Sequence, residues 1–182
     1  MMRTSIEVKS FETEELSADL RNAIVDVCVM AHQEEDFRNL FSYVPSGGRH
    51  FLAFQGEQLL SHAMVTTRWL QPEGHPLLKT AYIDAVATLP GYQGRGYGST
   101  LMYYLAEGID GEFVIGCLET DRVEFYERLG WELWRGPLAG RSEQGLIPTP
   151  EQKGIMILRL SQTPDLDPGS TLTIECQAER IW

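Results

Sequence analysis

Gln93-Gly94-Arg95-Gly96-Tyr97-Gly98 is the stretch on which the reading of this chain turns. It follows the apolar run Ala81-Tyr82-Ile83-Asp84-Ala85-Val86-Ala87 and precedes a helical run over residues 99–107. Three glycines in six residues, between a strand and a helix, let backbone N–H groups turn toward one point. That point lies at a helix N-terminus, where the macrodipole also favours an anion, so a phosphate is the natural guest. A glycine-rich turn without a ligand is the alternative, and the loop alone leaves both open.

Working outward, residues 6–11 read as a first strand and residues 15–32 as an amphipathic helix, with Leu16, Leu20, Ile24, Val27 and Val29-Met30 at helical spacing. A shorter helix is expected over 34–41, ended by Val44-Pro45-Ser46-Gly47-Gly48. Residues 50–55 and 59–69 read as an antiparallel hairpin about Gly56-Glu57, and 77–88 as the strand that enters the glycine loop. Downstream come a strand over 113–118, a helix over about 121–129 with Thr120 or Asp121 as N-cap and Gly130 as terminator, and a strand over 131–134. Residues 136–153, rich in glycine and proline, read as a long loop, and 155–160 and 172–176 as closing strands. The whole reads as one mixed α/β domain over residues 1–182.

Composition narrows the class. A chain of 182 residues with 43% hydrophobic content fits one ordinary globular domain. No apolar run approaches the roughly 20 residues of a membrane helix, and Met1-Met2-Arg3-Thr4-Ser5-Ile6-Glu7 lacks a signal-peptide core, so a cytoplasmic location is expected. Cys28, Cys117 and Cys176 have no metal-like spacing, so neither a disulfide framework nor a metal site is expected. With 15 basic against 26 acidic residues, the net charge of −11 opposes nucleic acid and anionic membranes and weakly favours a cationic small molecule. A dinucleotide fold is a poor fit despite Glu119 downstream. Its fingerprint needs G-x-G-x-x-G directly after a first parallel strand, and here Leu89-Pro90-Gly91-Tyr92 lengthens the turn.

This order of elements, with Gln-x-x-Gly-x-Gly after the fourth strand, resembles the GCN5-related N-acetyltransferases (GNAT). Phe125-Tyr126-Glu127-Arg128-Leu129-Gly130-Trp131 is a second mark of that family. The resemblance implies a GNAT fold, a mixed sheet flanked by helices, with acetyl-coenzyme A as donor. It also implies that Gln93, Gly94, Arg95, Gly96, Tyr97 and Gly98 cup the pyrophosphate, Arg95 adding a charge-assisted bond. By the same resemblance Val86 and Ala87 lie along the coenzyme, and a bulge frees the Val86 N–H to polarise the acetyl carbonyl. Tyr126 then lies near the sulfur and protonates the departing thiolate; the alternative is a core tyrosine packed on Trp131. Asp84 interrupts an apolar strand, where an unpartnered carboxylate is costly. It is either satisfied locally or is the base that takes a proton from the attacking amine, directly or through a water.

Gly47-Gly48-Arg49-His50, Ser61-His62-Ala63, Trp134-Arg135-Gly136-Pro137 and Cys176…Trp182 further resemble the aminoglycoside 2′-N-acetyltransferases. That likeness implies a homodimer and an acceptor pocket including Asp36, Phe41, Asp84, Cys117, Arg180 and Trp182, the last from a tail that includes the terminal carboxylate in those enzymes. Asp36 has the alternative of a solvated acid in Glu34-Glu35-Asp36, and Trp182 that of a docked tail. The chain departs from the relatives at four places. Asp84 stands for glutamate, Phe41 for a second carboxylate, Arg180 for an aspartate, and Cys117-Leu118 for a serine-rich segment. The positive change favours an acceptor with fewer amines and a carboxylate of its own, because arginine pairs well with carboxylates. Kasugamycin has those properties and a 2′-amine. Gentamicin or tobramycin, another small amine, a peptide N-terminus, and a non-catalytic acyl-coenzyme A binder are the alternatives.

Overall fold

The computed structural model describes residues 6–177 and 180–182. Residues 1–5, read above for a signal core, and Ala178 and Glu179 of the tail lie outside the described residues. The chain divides into two compact units: Met1–Thr66 with Ile83–Gly108, and Thr67–Tyr82 with Ile109–Trp182.

The first unit holds β1 (Ile6–Glu12), α1 (Ala18–His32), α2 (Leu40–Tyr43), β2 (Arg49–Gln55), the start of β3 (Gln58–Pro72), the end of β4 (Leu78–Thr88) and most of α3 (Tyr97–Ile109). β1 pairs antiparallel with β2, and β2 with β3. The first helix starts three residues later than its apolar periodicity suggests. Ser17 is the N-cap, its hydroxyl accepting the Leu20 N–H, and residues 13–15 form a separate 3-10 turn. Gln33, left-handed at φ 58°, ends it. The second helix is likewise split, a 3-10 turn over Glu35–Asn39 running into α2. Ile24, Val27 and Cys28 of α1 pack with Leu40, Leu52, Leu59 and Ala87 as the core of this unit.

The second unit holds the remainder of β3 and β4, then β5 (Ile115–Glu119), α4 (Val123–Glu127), β6 (Glu132–Leu133), β7 (Leu138–Ser142), β8 (Gly145–Pro148), β9 (Ile155–Arg159) and β10 (Leu172–Glu175). Strand order is β6-β9-β5-β4-β3-β10-β7-β8, a mixed sheet in which β10 runs antiparallel to β3 and parallel to β7. Tyr82, Cys117, Trp134, Ile157, Leu172 and Trp182 belong to its buried core.

Two expectations are corrected. α4 begins at Val123, not 121, because Thr120 spends its hydroxyl on the Arg122 N–H in a tight turn, and the N-cap Arg122 has no side-chain cap. Residues 136–153 are not a long loop but the hairpin β7–β8, turned through Ser142 and Gly145. Gly140 signals close packing rather than a bend: a β-carbon there would lie 2.6 Å from Cys176 Sγ and 2.9 Å from Ile181.

Candidate active site

In the first unit, β4 runs continuously past Asp84, but its backbone turns sharply at the next residue. Ala85, between Asp84 and Val86, has φ 49°, the left-handed region that a residue with a β-carbon adopts only under constraint. Asp84, Ala85 and Val86 are half-buried, whereas Ala81, Tyr82, Ile83 and Ala87 are buried. The Ala85 carbonyl faces side chains of β3 and α1. His62 Nδ1 lies 2.8 Å from it and the Cys28 thiol 3.9 Å. His62 Nε2 meets His50 Nδ1 at 2.9 Å, and His50 Nε2 meets the Thr13 hydroxyl at 3.0 Å. Burial pushes His50 down to about 4 and His62 to about 3, so both rings are neutral at neutral pH.

Beyond β4, a 3-10 turn over Pro90–Tyr92 leads into the glycine loop. Gly94 and Gly96 take φ 71° and 89°, with open space where a side chain would stand. Only glycine reaches such angles without penalty, so the loop composition follows from its backbone path. The Thr100 N–H closes on the Gly96 carbonyl, which leaves the N–H groups of the first turn of α3 directed out of its N-terminus. Gln93, Gly94, Arg95 and Gly96 are exposed, and Tyr97 and Gly98 half-exposed. The Gln93 amide donates to the Thr88 carbonyl and so ties the loop to the end of β4. Tyr92 supports the guanidinium of Arg95, 5.7 Å from the ring, and is itself anchored to Gln58. These features fit a pyrophosphate: open space over the glycines, N–H groups at a helix start, and an exposed cation.

Asp36 is exposed in its 3-10 turn. Phe41 packs on the core of the same unit, its ring 5.6 Å from that of His50 and beneath the Arg21 guanidinium.

In the second unit, Tyr126 is buried at 7% exposure, with edge contacts to Phe125 and Trp131. Burial pushes its hydroxyl up to about 12, which keeps it protonated, the form a general acid must start in. Cys117, expected at the acceptor pocket, is instead wholly buried in the core of this unit. Trp182 is buried and donates its indole N–H to Thr149 just beyond β8. Arg180 is exposed; its Nε bonds the Trp182 carbonyl oxygen and its guanidinium lies 5.2 Å from the Tyr82 ring. A second cation shares that ring. Arg68, 2% exposed, sits 5.0 Å from it, pairs with Glu175 and donates to the Glu175 and Ile181 carbonyls. Neither Arg68 nor Thr149 is marked by its sequence neighbourhood, because the residues they hold lie more than thirty positions away.

A family model described as the acetyltransferase (GNAT) domain matches residues 11–134. Among solved structures, YhbS of Escherichia coli, a GNAT family N-acetyltransferase in complex with CoA, aligns at TM-score 0.60 and 16% identity over 95% of this chain and 91% of its own. A probable N-acyltransferase of Enterococcus faecalis aligns at TM-score 0.58 and 25% identity over 74% of this chain and 34% of its own. Eis1 of Mycobacterium abscessus aligns at 0.61 and 19%, over 74% and 32%. The chain thus spans about a third of the length of the last two. The more distant likenesses speak for the fold, a mixed sheet flanked by helices, and the family match covers more than half of the residues. The chain belongs to the GNAT acetyltransferases.

Proposed function

We propose that this chain, as a single acetyltransferase domain, moves an acetyl group from acetyl-coenzyme A to a primary amine of a small aminoglycoside-type molecule, with the 2′-amine of kasugamycin as leading acceptor. The observation that carries the reaction is the left-handed Ala85 within β4, flanked by Asp84 and Val86 just ahead of the glycine loop. Bound acetyl-coenzyme A supplies the thioester carbonyl that an amine attacks. The first-turn N–H groups of α3 and the Arg95 guanidinium hold its pyrophosphate. The Val86 N–H donates to the acetyl oxygen, where negative charge develops. Asp84 accepts, through a water, the proton that the substrate ammonium must lose before its nitrogen attacks, and Tyr126 gives one to the departing thiolate.

The exposed Arg180 beside Tyr82 and Trp182 favours an acceptor with a carboxylate, since a guanidinium fork suits that group. Thiol release over a panel of amines tests the reading. Kasugamycin is expected to turn over with the highest kcat/KM. Equal or better turnover of gentamicin or tobramycin sinks the kasugamycin assignment, and turnover of a peptide N-terminus alone moves the acceptor to another class. Coenzyme binding with no amine acetylated would mark a non-catalytic binder.

A further inference from the structure

Four contacts run in series between two carbonyls of the first unit. The Thr13 hydroxyl lies 2.9 Å from the Gly48 carbonyl oxygen and 3.0 Å from His50 Nε2; His50 Nδ1 lies 2.9 Å from His62 Nε2; His62 Nδ1 lies 2.8 Å from the Ala85 carbonyl oxygen. Both ends can only accept. One hydroxyl and two neutral imidazoles supply three protons for four links, so one link goes without. The Gly48 carbonyl already accepts the Thr13 backbone N–H at 2.8 Å and loses least. A bare Nδ1 lone pair facing a carbonyl oxygen at 2.8 Å would instead be repulsive. The protons therefore sit on His62 Nδ1, on His50 Nδ1, and on the Thr13 hydroxyl turned toward His50. Cys28, whose thiol burial pushes up to about 12, stays protonated at 3.6 Å from His62 Nδ1 and supports the same carbonyl.

The consequence lies one atom further along the chain. A planar trans peptide holds its C=O and N–H in opposite directions, and no peptide bond among the described residues is cis. Whatever fixes the Ala85 carbonyl thereby fixes the direction of the Val86 N–H. A left-handed alanine persists only where its surroundings over-determine it, and the bond from His62 is such a constraint.

We propose that His62 is a positioning residue of the acetyl transfer: by donating Nδ1–H to the Ala85 carbonyl, with its tautomer set by His50 and Thr13, it aims the Val86 N–H at the acetyl oxygen. This rests on the reading of Val86 as the oxyanion donor.

Long-range nitrogen–proton spectra of histidine-labelled wild-type protein read the tautomer directly. Protonation at His62 Nδ1 with a bare Nε2 is expected, and the opposite tautomer overturns the proposal. Two variants test the consequence. His62→Leu removes the donor, whereas His62→Asn places an amide N–H where Nδ1–H stood. The Leu variant should lose about 10- to 100-fold in kcat, the scale of a misaimed oxyanion donor, with KM for acetyl-coenzyme A within about threefold. The Asn variant should recover most of that loss. The carbonyl stretch of bound carbon-13-labelled acetyl-coenzyme A should move to higher wavenumber in the Leu variant and stay near wild type in the Asn variant. A wild-type stretch that persists in His62→Leu, or an Asn variant no better than Leu, overturns the assignment of His62 alone. A wild-type stretch unshifted from that of free acetyl-coenzyme A removes Val86 from its role and His62 with it. Should the Leu variant not fold, the tautomer and the Asn variant decide.

Discussion

The loop after β4 and the tail after β10 hold their candidate site residues by opposite means. In the loop, binding groups are backbone atoms, and their placement follows from glycines at φ 71° and 89° within a few residues of each other. In the tail, placement depends on side chains that reach across the second unit: Arg68 to Glu175 and Ile181, and Thr149 to Trp182. A phosphate site can be written into a short peptide because backbone N–H groups are the same in every sequence. An acceptor site needs chosen side chains, so its framework is distributed along the chain. Damage to the tail should therefore appear in stability and acceptor recognition, and damage to the loop in coenzyme recognition.

Among the substitutions, Arg68→Leu should give the largest effect. It removes a cation at 2% exposure, strips the Glu175 and Ile181 carbonyls of this donor and takes from Glu175 its closest charged partner. With the Glu175 side chain 32% exposed, the cost comes mainly from the two carbonyls left without this donor, about 3 kcal/mol together, measurable by urea unfolding. In the fraction that folds, acceptor KM should rise about tenfold on the loss of the hydrogen bonds to the end of β10 and to Ile181 of the tail, with coenzyme KM little changed. Arg68→Lys should not rescue it, because one ammonium cannot span three acceptors set for a planar fork. A rise of coenzyme KM equal to that of acceptor KM would break the comparison.

Acid should next single out the first unit. His50 and His62 titrate near 6.5 when unfolded and at about 4 and 3 when folded, so between those limits the unfolded chain binds more protons. Stability should be flat above about pH 7 and fall as pH drops from 6.5 toward 4, by about 1.4 kcal/mol per pH unit for each proton withheld. Unfolding free energy measured across that range checks it. His62→Asn should flatten the slope by one proton, and an unchanged slope would show that other groups set it.

Gly96→Ala is the matching lesion in the loop. A left-handed alanine costs about 1–2 kcal/mol, and the open space around Gly96 adds no clash. Urea unfolding should show that loss or less. Coenzyme KM should rise about tenfold, the kinetic equivalent of about 1.4 kcal/mol, with acceptor KM unchanged.

Legibility in the sequence followed the same division. The glycine loop, the carboxylate in an apolar strand and the order of elements could be read because each is a local pattern. The end of the first helix was visible as periodicity, but its start was decided by the Ser17 hydroxyl, which periodicity does not report. The β7–β8 hairpin was hidden by its own composition. Gly140, which reads as flexible, is small because Cys176 and Ile181 approach it, and that reason exists only once the tail has docked. His62 escaped for a related cause: its partners Thr13, Cys28, His50 and Ala85 come from four separate segments.

Trp182→Phe should give the smallest effect and the sharpest division between the two regions. Phenylalanine keeps much of the buried apolar surface of the indole and removes the N–H that meets Thr149 at 2.9 Å. Thr149→Val removes the other half of the bond at nearly constant volume. Each variant alone should cost about 1 kcal/mol, the net worth of one hydrogen bond. The double variant should cost less than the sum, because the second substitution finds the bond already gone. Acceptor KM should rise a few-fold in all three, in step with stability and to the same extent in the double variant as in either single one, while coenzyme KM stays at the wild-type value. Strict additivity would mean that the contact does not hold the tail. Trp182 would then be docked by its apolar burial alone, and the second unit would resemble an ordinary core more than a built pocket.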